Sequence, residues 1–171
     1  MSGVCVNEVT PVQSPEAIGI VVGLAHEIWH QHYVPIIGRK QVDYMIGKFQ
    51  SRQAIEQQIA SGQEYFLLEL AGSAQGYFAI ERQPAQQRLF LSKLYVRASA
   101  RGRGLGRIAL DFMELLCKTS ALNCIWLTVN KHNPAVGTYG RLGFRNVGAI
   151  VTDIGEGYVM DDYRLEKLLR P

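Results

Sequence analysis

Several things that would place this chain at once are scarce or missing. Among 171 residues there are three cysteines, Cys5, Cys117 and Cys124, odd in number and without metal-ligand spacing, so neither a disulfide framework nor a cysteine zinc site is expected. A reducing cytoplasm fits such usage. No run of about eighteen apolar residues occurs, and the N-terminus has no basic segment leading into an apolar core, so neither a membrane span nor a secretory signal is expected. Basic tracts and RNA-binding motifs are also lacking, and the formal net charge is only +3, which argues against a nucleic-acid partner. Internal repeats and low-complexity stretches are not found.

What remains describes an ordinary globular protein: 47% apolar and 19% charged residues, with enough chain for one domain over residues 1–171. The slight positive balance suits a polyanionic small ligand. Val4 to Val12 alternates and reads as a strand. Ser14 with Pro15 and Glu16 opens a helix expected to reach Tyr33, where Val34-Pro35 should break it. Arg39 to Phe49 and Ser51 to Ala60 read as two more helices, the second capped by Ser51 and stopped by Gly62.

After Gly62 the apolar period changes to two. Glu64 to Leu70, Gly76 to Arg82 and Arg88 to Val96 form an expected antiparallel meander, with turns at Ala71-Gly72-Ser73 and Gln83-Pro84-Ala85. Asn123 to Asn130 is nearly all apolar, as in a strand buried on both faces, and it should lie parallel to Arg88–Val96. Asn133-Pro134-Ala135 starts a short helix ended by Gly143. Phe144 to Thr152 and Tyr158 to Leu165 then make a last strand pair around Gly155 and Gly157. The fold class expected is α/β of the α+β kind: a mixed, mostly antiparallel twisted sheet with one parallel strand pair splayed into a cleft and helices on both faces. Residues 1–62 form a helical region and 64–167 the core.

The stretch from Leu91 to Thr119 organises this plan. A strand ending at Val96 passes through Arg101-Gly102-Arg103-Gly104-Leu105-Gly106 into an amphipathic helix with Leu105, Ile108, Phe112 and Leu115 on one face. Pairs Arg107 with Asp111 and Glu114 with Lys118 are expected on the other. The first amides of a helix lack intrahelical acceptors, their dipoles sum to partial positive charge, and glycine lets an anion approach the backbone. Two nucleotide motifs fail here. A P-loop needs Lys-Ser or Lys-Thr where Arg107-Ile108 stands, and the dinucleotide fingerprint needs a glycine spacing that Gly102, Gly104 and Gly106 do not have.

A second motif lies in the first helix. His26-Glu27-Ile28-Trp29-His30 matches the H-E-x-x-H pattern of zinc proteases, but Gln31 to Pro35 does not extend it to a third ligand, so no metal is expected. Polar residues on a half-exposed helix account for it; alternatively Trp29, His30 and Tyr33 line a substrate pocket.

Arg101, Gly104 and Gly106 match in full the Gln/Arg-x-x-Gly-x-Gly/Ala signature of the GCN5-related N-acetyltransferases (GNATs), which the chain resembles over Glu64 to Lys167. The resemblance implies a sheet splayed around acetyl-CoA. It implies cofactor contacts from Leu94, Tyr95 and Val96 and from Arg101, Gly102, Arg103, Gly104, Leu105, Gly106 and Arg107. The family's second block is similar to Asn133, Ala135, Tyr139 and Gly143-Phe144, which implies cofactor contacts from Asn133 and Tyr139. Only Pro134 separates Asn133 from Ala135, where the family usually has two residues. The implied reaction is direct acetyl transfer to an amine, with a main-chain amide near Leu94 to Val96 for the oxyanion and Tyr139 as the acid for the leaving thiolate.

A base is not singled out, since Leu89 to Val96 holds no carboxylate; Glu27, Glu64, Glu69, Glu81, His30 and His32 stay open. Ile125-Trp126-Leu127, Gly148-Ala149 and Tyr158 to Asp161 look most like the polyamine acetyltransferases of the PaiA type, and Asp153, Glu156, Asp161 and Asp162 form an acidic cluster suited to a polyamine or to a solvated turn. The partner implied is a small-molecule amine, and a homodimer is compatible. A catalytically idle acyl-CoA sensor and a zinc hydrolase built on His26, Glu27 and His30 are the alternatives.

Overall fold

The two periodicities divide the chain where the sequence implies, helical up to Ala60 and mostly extended from Glu64. The computed structural model describes residues 7–170. In order it contains β1 (Asn7–Pro11), α1 (Pro15–Ile37), α2 (Arg39–Met45), α3 (Arg52–Ala60), β2 (Glu64–Leu70), β3 (Ser73–Gln83), β4 (Arg88–Val96), α4 (Leu105–Thr119), β5 (Cys124–Asn130), α5 (Ala135–Arg141), β6 (Arg145–Gly155) and β7 (Tyr158–Leu168). The strands follow the order β1-β2-β3-β4-β5-β7-β6 in a seven-stranded sheet. It is a mixed sheet with one parallel pair, β4 with β5. The described helices include none long and apolar enough to cross a membrane. Val4 to Val6 of the first expected strand lie outside the described residues.

The chain falls into two compact units, one made of the residues up to Glu81 with Lys93–Phe112, the other of Arg82–Ser92 with Met113 onward. In the first, β2 pairs antiparallel with β1 and β3. Ala71 and Gly72, both at positive φ (52° and 76°), close the β2–β3 hairpin in the turn form that matches strand twist. Pro11 ends β1 at the sheet's margin, where a missing amide costs no ladder bond. Phe66 and Phe78 stack at 4.9 Å on one sheet face and meet Phe112 of α4. Tyr65 and Tyr77 stack on the other face, and Tyr77 packs with Tyr95 of β4. Helices therefore cover both faces of this unit's strands.

Helix α1 begins as expected, with Ser14 Oγ accepting from the Ala17 amide at 3.1 Å and Pro15 in the first turn. Val21, Leu24, Ala25, Ile28 and Trp29 make its buried stripe. It does not break at Val34-Pro35. It continues to Ile37, because Pro35 sits in the last turn, where only one backbone bond is lost, and Gly38 (φ 83°) ends the helix by donating to the Val34 carbonyl. The expected helix over Arg39 to Phe49 is α-helical only to Met45 and then widens into a π turn, Ile46–Gln50. Ser51 caps α3 through the Ala54 amide.

In the second unit the parallel ladder joins Arg88, Leu89 and Phe90 to Cys124, Ile125 and Trp126. β5 pairs antiparallel with β7, and β6 with β7 through two register shifts. β5 is not buried on both faces: Ile125, Leu127 and Val129 are buried, while Trp126 is half-exposed under Phe90, Arg88 and Arg164, with the two guanidiniums 4.8 and 4.7 Å from its ring. Cationic stems there cover what a helix would cover elsewhere. In α4 the buried residues are Leu105, Ala109, Leu110, Met113 and Cys117, and Leu115 points outward at 61% exposure. Arg107 pairs with Asp111 as expected, whereas Glu114 is taken by Lys167 at 2.5 Å instead of Lys118.

One backbone approach shapes the end of β4. A Cβ on Gly76 of β3 would stand 2.4 Å from the Tyr95 carbonyl oxygen and 3.1 Å from the Val96 Cα. Backbone cannot yield as a flexible side chain would. Gly76→Ala is expected to lower unfolding free energy by about 1–3 kcal/mol, the usual range for overpacking, as read by chemical denaturation.

Candidate functional site

At the C-terminal end of β4 the Arg97 amide donates to the Gln75 carbonyl at 2.8 Å, and Ala98–Ala100 forms one 3-10 turn. Arg101 is extended, then Gly102 (φ 73°) and Gly104 (φ 83°) take left-handed conformations that favour glycine. The first α4 bond runs from the Ile108 amide to the Gly104 carbonyl at 3.0 Å. The amides of Leu105, Gly106 and Arg107 precede it and so have no intrahelical acceptor. Residues 101–104 are exposed, and a Cβ built on Gly102, Gly104 or Gly106 meets nothing within 4 Å. This is an open turn at a helix N-terminus whose first amides lack intrahelical acceptors, which suits a phosphate-bearing ligand.

The arginines differ. Arg101 Nε donates back to the Val96 carbonyl at 3.2 Å, tying loop to strand, while Arg107 is held by Asp111 along the helix. Arg103 is exposed. Glu27 of the H-E-x-x-H motif accepts from Arg97 Nε at 3.0 Å, and Arg97 also donates to the Ala74 carbonyl. His30 lies 2.7 Å from both the His26 carbonyl oxygen and Asp43. The motif's groups thus anchor α1 to α2 and to the strand that enters the loop. Among the described residues, no group of three His, Cys, Asp or Glu side chains is placed to hold a metal ion.

Trp29 and Tyr33 meet each other at 4.6 Å, and Tyr95 of β4 meets them at 5.5 and 6.2 Å. His30 is turned instead toward His26 and Asp43. Sequence reasoning passed over what adjoins this cluster. Lys93, 8% exposed, alternates inward with Leu89 and Leu91. Its ammonium donates to Gln58 Oε1 at 2.6 Å and stands 5.2 Å from the centre of the Tyr65 ring, whose hydroxyl donates to the same Gln58 oxygen. Burial pulls the Lys93 ammonium down to about 8. The Tyr77 hydroxyl donates to Gln50, which the π turn supplies, and burial pushes that phenol well up. A lysine in a strand's inward register was a visible signal; the wider turn that delivers Gln50 left none.

In the second unit the Asn133 carboxamide oxygen accepts from the Ala135 amide at 2.9 Å, so the shortened spacing turns it into a start for α5. Tyr139 is half-buried and packs edge-on to Phe144 at 5.5 Å. Gly143 (φ 94°) ends that helix, and Lys167 donates to the Leu142 carbonyl. The acidic cluster is not one field of free charge. Asp161 is 2.6 Å from Lys131, and Asp162 is buried, its carboxyl pushed up to about 6 mainly by burial and partly offset by Thr128.

An exposed glycine turn that opens α4 and a mixed sheet with one parallel pair are the features to set beside known proteins. The Acetyltransferase (GNAT) domain model matches residues 33–165, and the chain belongs to this family of N-acetyltransferases. It is 24% identical over 181 residues to an uncharacterized N-acetyltransferase of Lactobacillus delbrueckii subsp. lactis, covering 99% of each. Among solved structures it is similar to the PaiA N-acetyltransferase of Thermoplasma acidophilum in complex with coenzyme A (TM-score 0.79, 17% identity, 95% of this chain and 99% of that one). It is also similar to a GCN5-related N-acetyltransferase of Rhodopseudomonas palustris (TM-score 0.80, 15% identity, 99% and 100%).

Lys93 also sets a pH signature. Its folded value lies below its ordinary 10.5, so a charge-burial penalty is fully present below about pH 8 and fades as pH rises toward 10.5. Lys93→Met should be more stable than the native protein at pH 7, and that gap should narrow in denaturation curves between pH 8 and 10.5.

Proposed function

We propose that the chain transfers the acetyl group of acetyl-CoA directly to a primary amine of a small molecule. The observation that carries this is the turn into α4, exposed over residues 101–104, with donors ahead of the first helical bond and open space over Gly102, Gly104 and Gly106. Amides from Arg101 to Gly106 would hold the pyrophosphate, with Arg103 adding charge. The β4 end, Leu94 to Val96, would align the pantetheine arm and offer an amide to the developing oxyanion. Acetyl-CoA supplies a thioester whose carbonyl carbon the amine attacks and whose thiolate leaves. Tyr139 is the proposed proton donor to that thiolate, and the acceptor would enter beside Trp29, Tyr33 and Tyr95.

Asn133 is a weaker candidate for a cofactor contact than its motif suggests, since its oxygen is engaged by Ala135. The amide of Arg107 is the part of that residue proposed to serve the site. A polyamine acceptor, implied by the likeness to the PaiA type, would need carboxylates, and of the acidic cluster Asp161 already faces Lys131.

Calorimetry should show acetyl-CoA binding to the native protein and none to Gly104→Leu, whose side chain would fill the open space beside the turn and strain its left-handed backbone. Normal binding by that variant would overturn the assignment. Tyr139→Phe should bind acetyl-CoA normally yet lose about 100-fold or more in turnover, the scale of a lost general acid, when thiol release is followed across a panel of amines. An idle sensor would be indifferent to that change.

A further inference from the structure

A buried ammonium is costly unless a carboxylate or a ligand balances it. Among the described residues Lys93 meets no carboxylate: its contacts are the neutral Gln58 oxygen and the Tyr65 ring face, and burial alone accounts for its shift. Carboxylates of α1, α2 and α3 are matched elsewhere, Glu27 by Arg97, Asp43 by His30 and Arg39, and Glu56 by Arg52. Lys48, after α2, stands against Tyr44 and Phe49.

Lys93 projects from the β4 face that also carries Tyr95, so it belongs to the wall where Trp29, Tyr33 and Tyr95 gather. Gln58 and Tyr65 are its neutral polar neighbours, and the Tyr65 ring stacks on Tyr77, whose hydroxyl donates to Gln50. Such a wall repels a polycation. It attracts an amine that also carries a carboxylate.

We infer that the acceptor is a carboxylate-bearing amine of the amino-acid class, and that Lys93 determines this choice by receiving the carboxylate. The inference rests on the acetyltransfer reading above and narrows its acceptor. With neutral groups as its neighbours the ammonium is a strong handle for an anion, so the preference should follow Lys93. Retaining a destabilising buried charge is also what a binding role would explain.

The test compares amino acids, their carboxamides and spermidine as acceptors for the native enzyme, Lys93→Met and Lys93→Gln, by thiol release from acetyl-CoA. The native enzyme should show kcat/KM at least about tenfold higher for an amino acid than for its carboxamide, the effect of one charge contact, and lower still for spermidine. Both variants should bring the acid down to the level of the carboxamide, with a much larger loss for the acid than for the carboxamide. Equal loss for acid and carboxamide would mean a merely structural lysine and overturn the inference, as would native preference for the carboxamide or spermidine. If acetyl-CoA binds but no amine of the panel is acetylated, the acceptor inference falls while the cofactor reading stands. If acetyl-CoA does not bind, the reading beneath it falls too.

Discussion

Helix α4 starts with main-chain amides that nothing in its own winding can satisfy, and the turn leading into it is exposed over residues 101–104. Two left-handed glycines turn the backbone into the helix without closing over it, and Arg101 bonds backward to Val96. Gly76 lets the Tyr95 carbonyl press against β3, and Arg97 is fastened by the Gln75 carbonyl and Glu27. The turn is held from behind, by the strand and by α1.

The same support accounts for the motif in α1. H-E-x-x-H spacing places its groups on one helix face, and here that face grips α2 and the end of β4 through His30–Asp43 and Glu27–Arg97. Side-chain types that would ligate a metal act as fasteners for the element that feeds the loop. The aromatic wall of Trp29, Tyr33 and Tyr95 then stands where α1 and β4 are held together.

Much of this was legible in the residues. The glycine loop, the parallel strand beyond its helix and the capped α1 and α3 follow from local chemistry with few competitors. Other features depend on neighbours that local patterns do not report. Pro35 was expected to stop α1 and does not, since its place in the final turn makes the loss small. β5 reads as buried on both sides because Trp126 is apolar, yet the cover over that ring is two arginine side chains from other strands. Glu114 finds Lys167, 53 positions away, in preference to Lys118 one turn on. Lys93 was overlooked because strand reasoning weighed apolar alternation and searched β4 for an acid.

The π turn at Ile46–Gln50 has an arithmetic of its own. A wider turn accommodates a residue more than regular α winding over the same rise, which rotates everything beyond it relative to an uninterrupted helix. Gln50 reaches Tyr77 because of that offset, and α3 takes its bearing from the Ser51 cap that follows. The length of this segment, independently of which residues fill it, therefore encodes the orientation of the polar lining, and losing a single position there would redirect it even if every named side chain were kept.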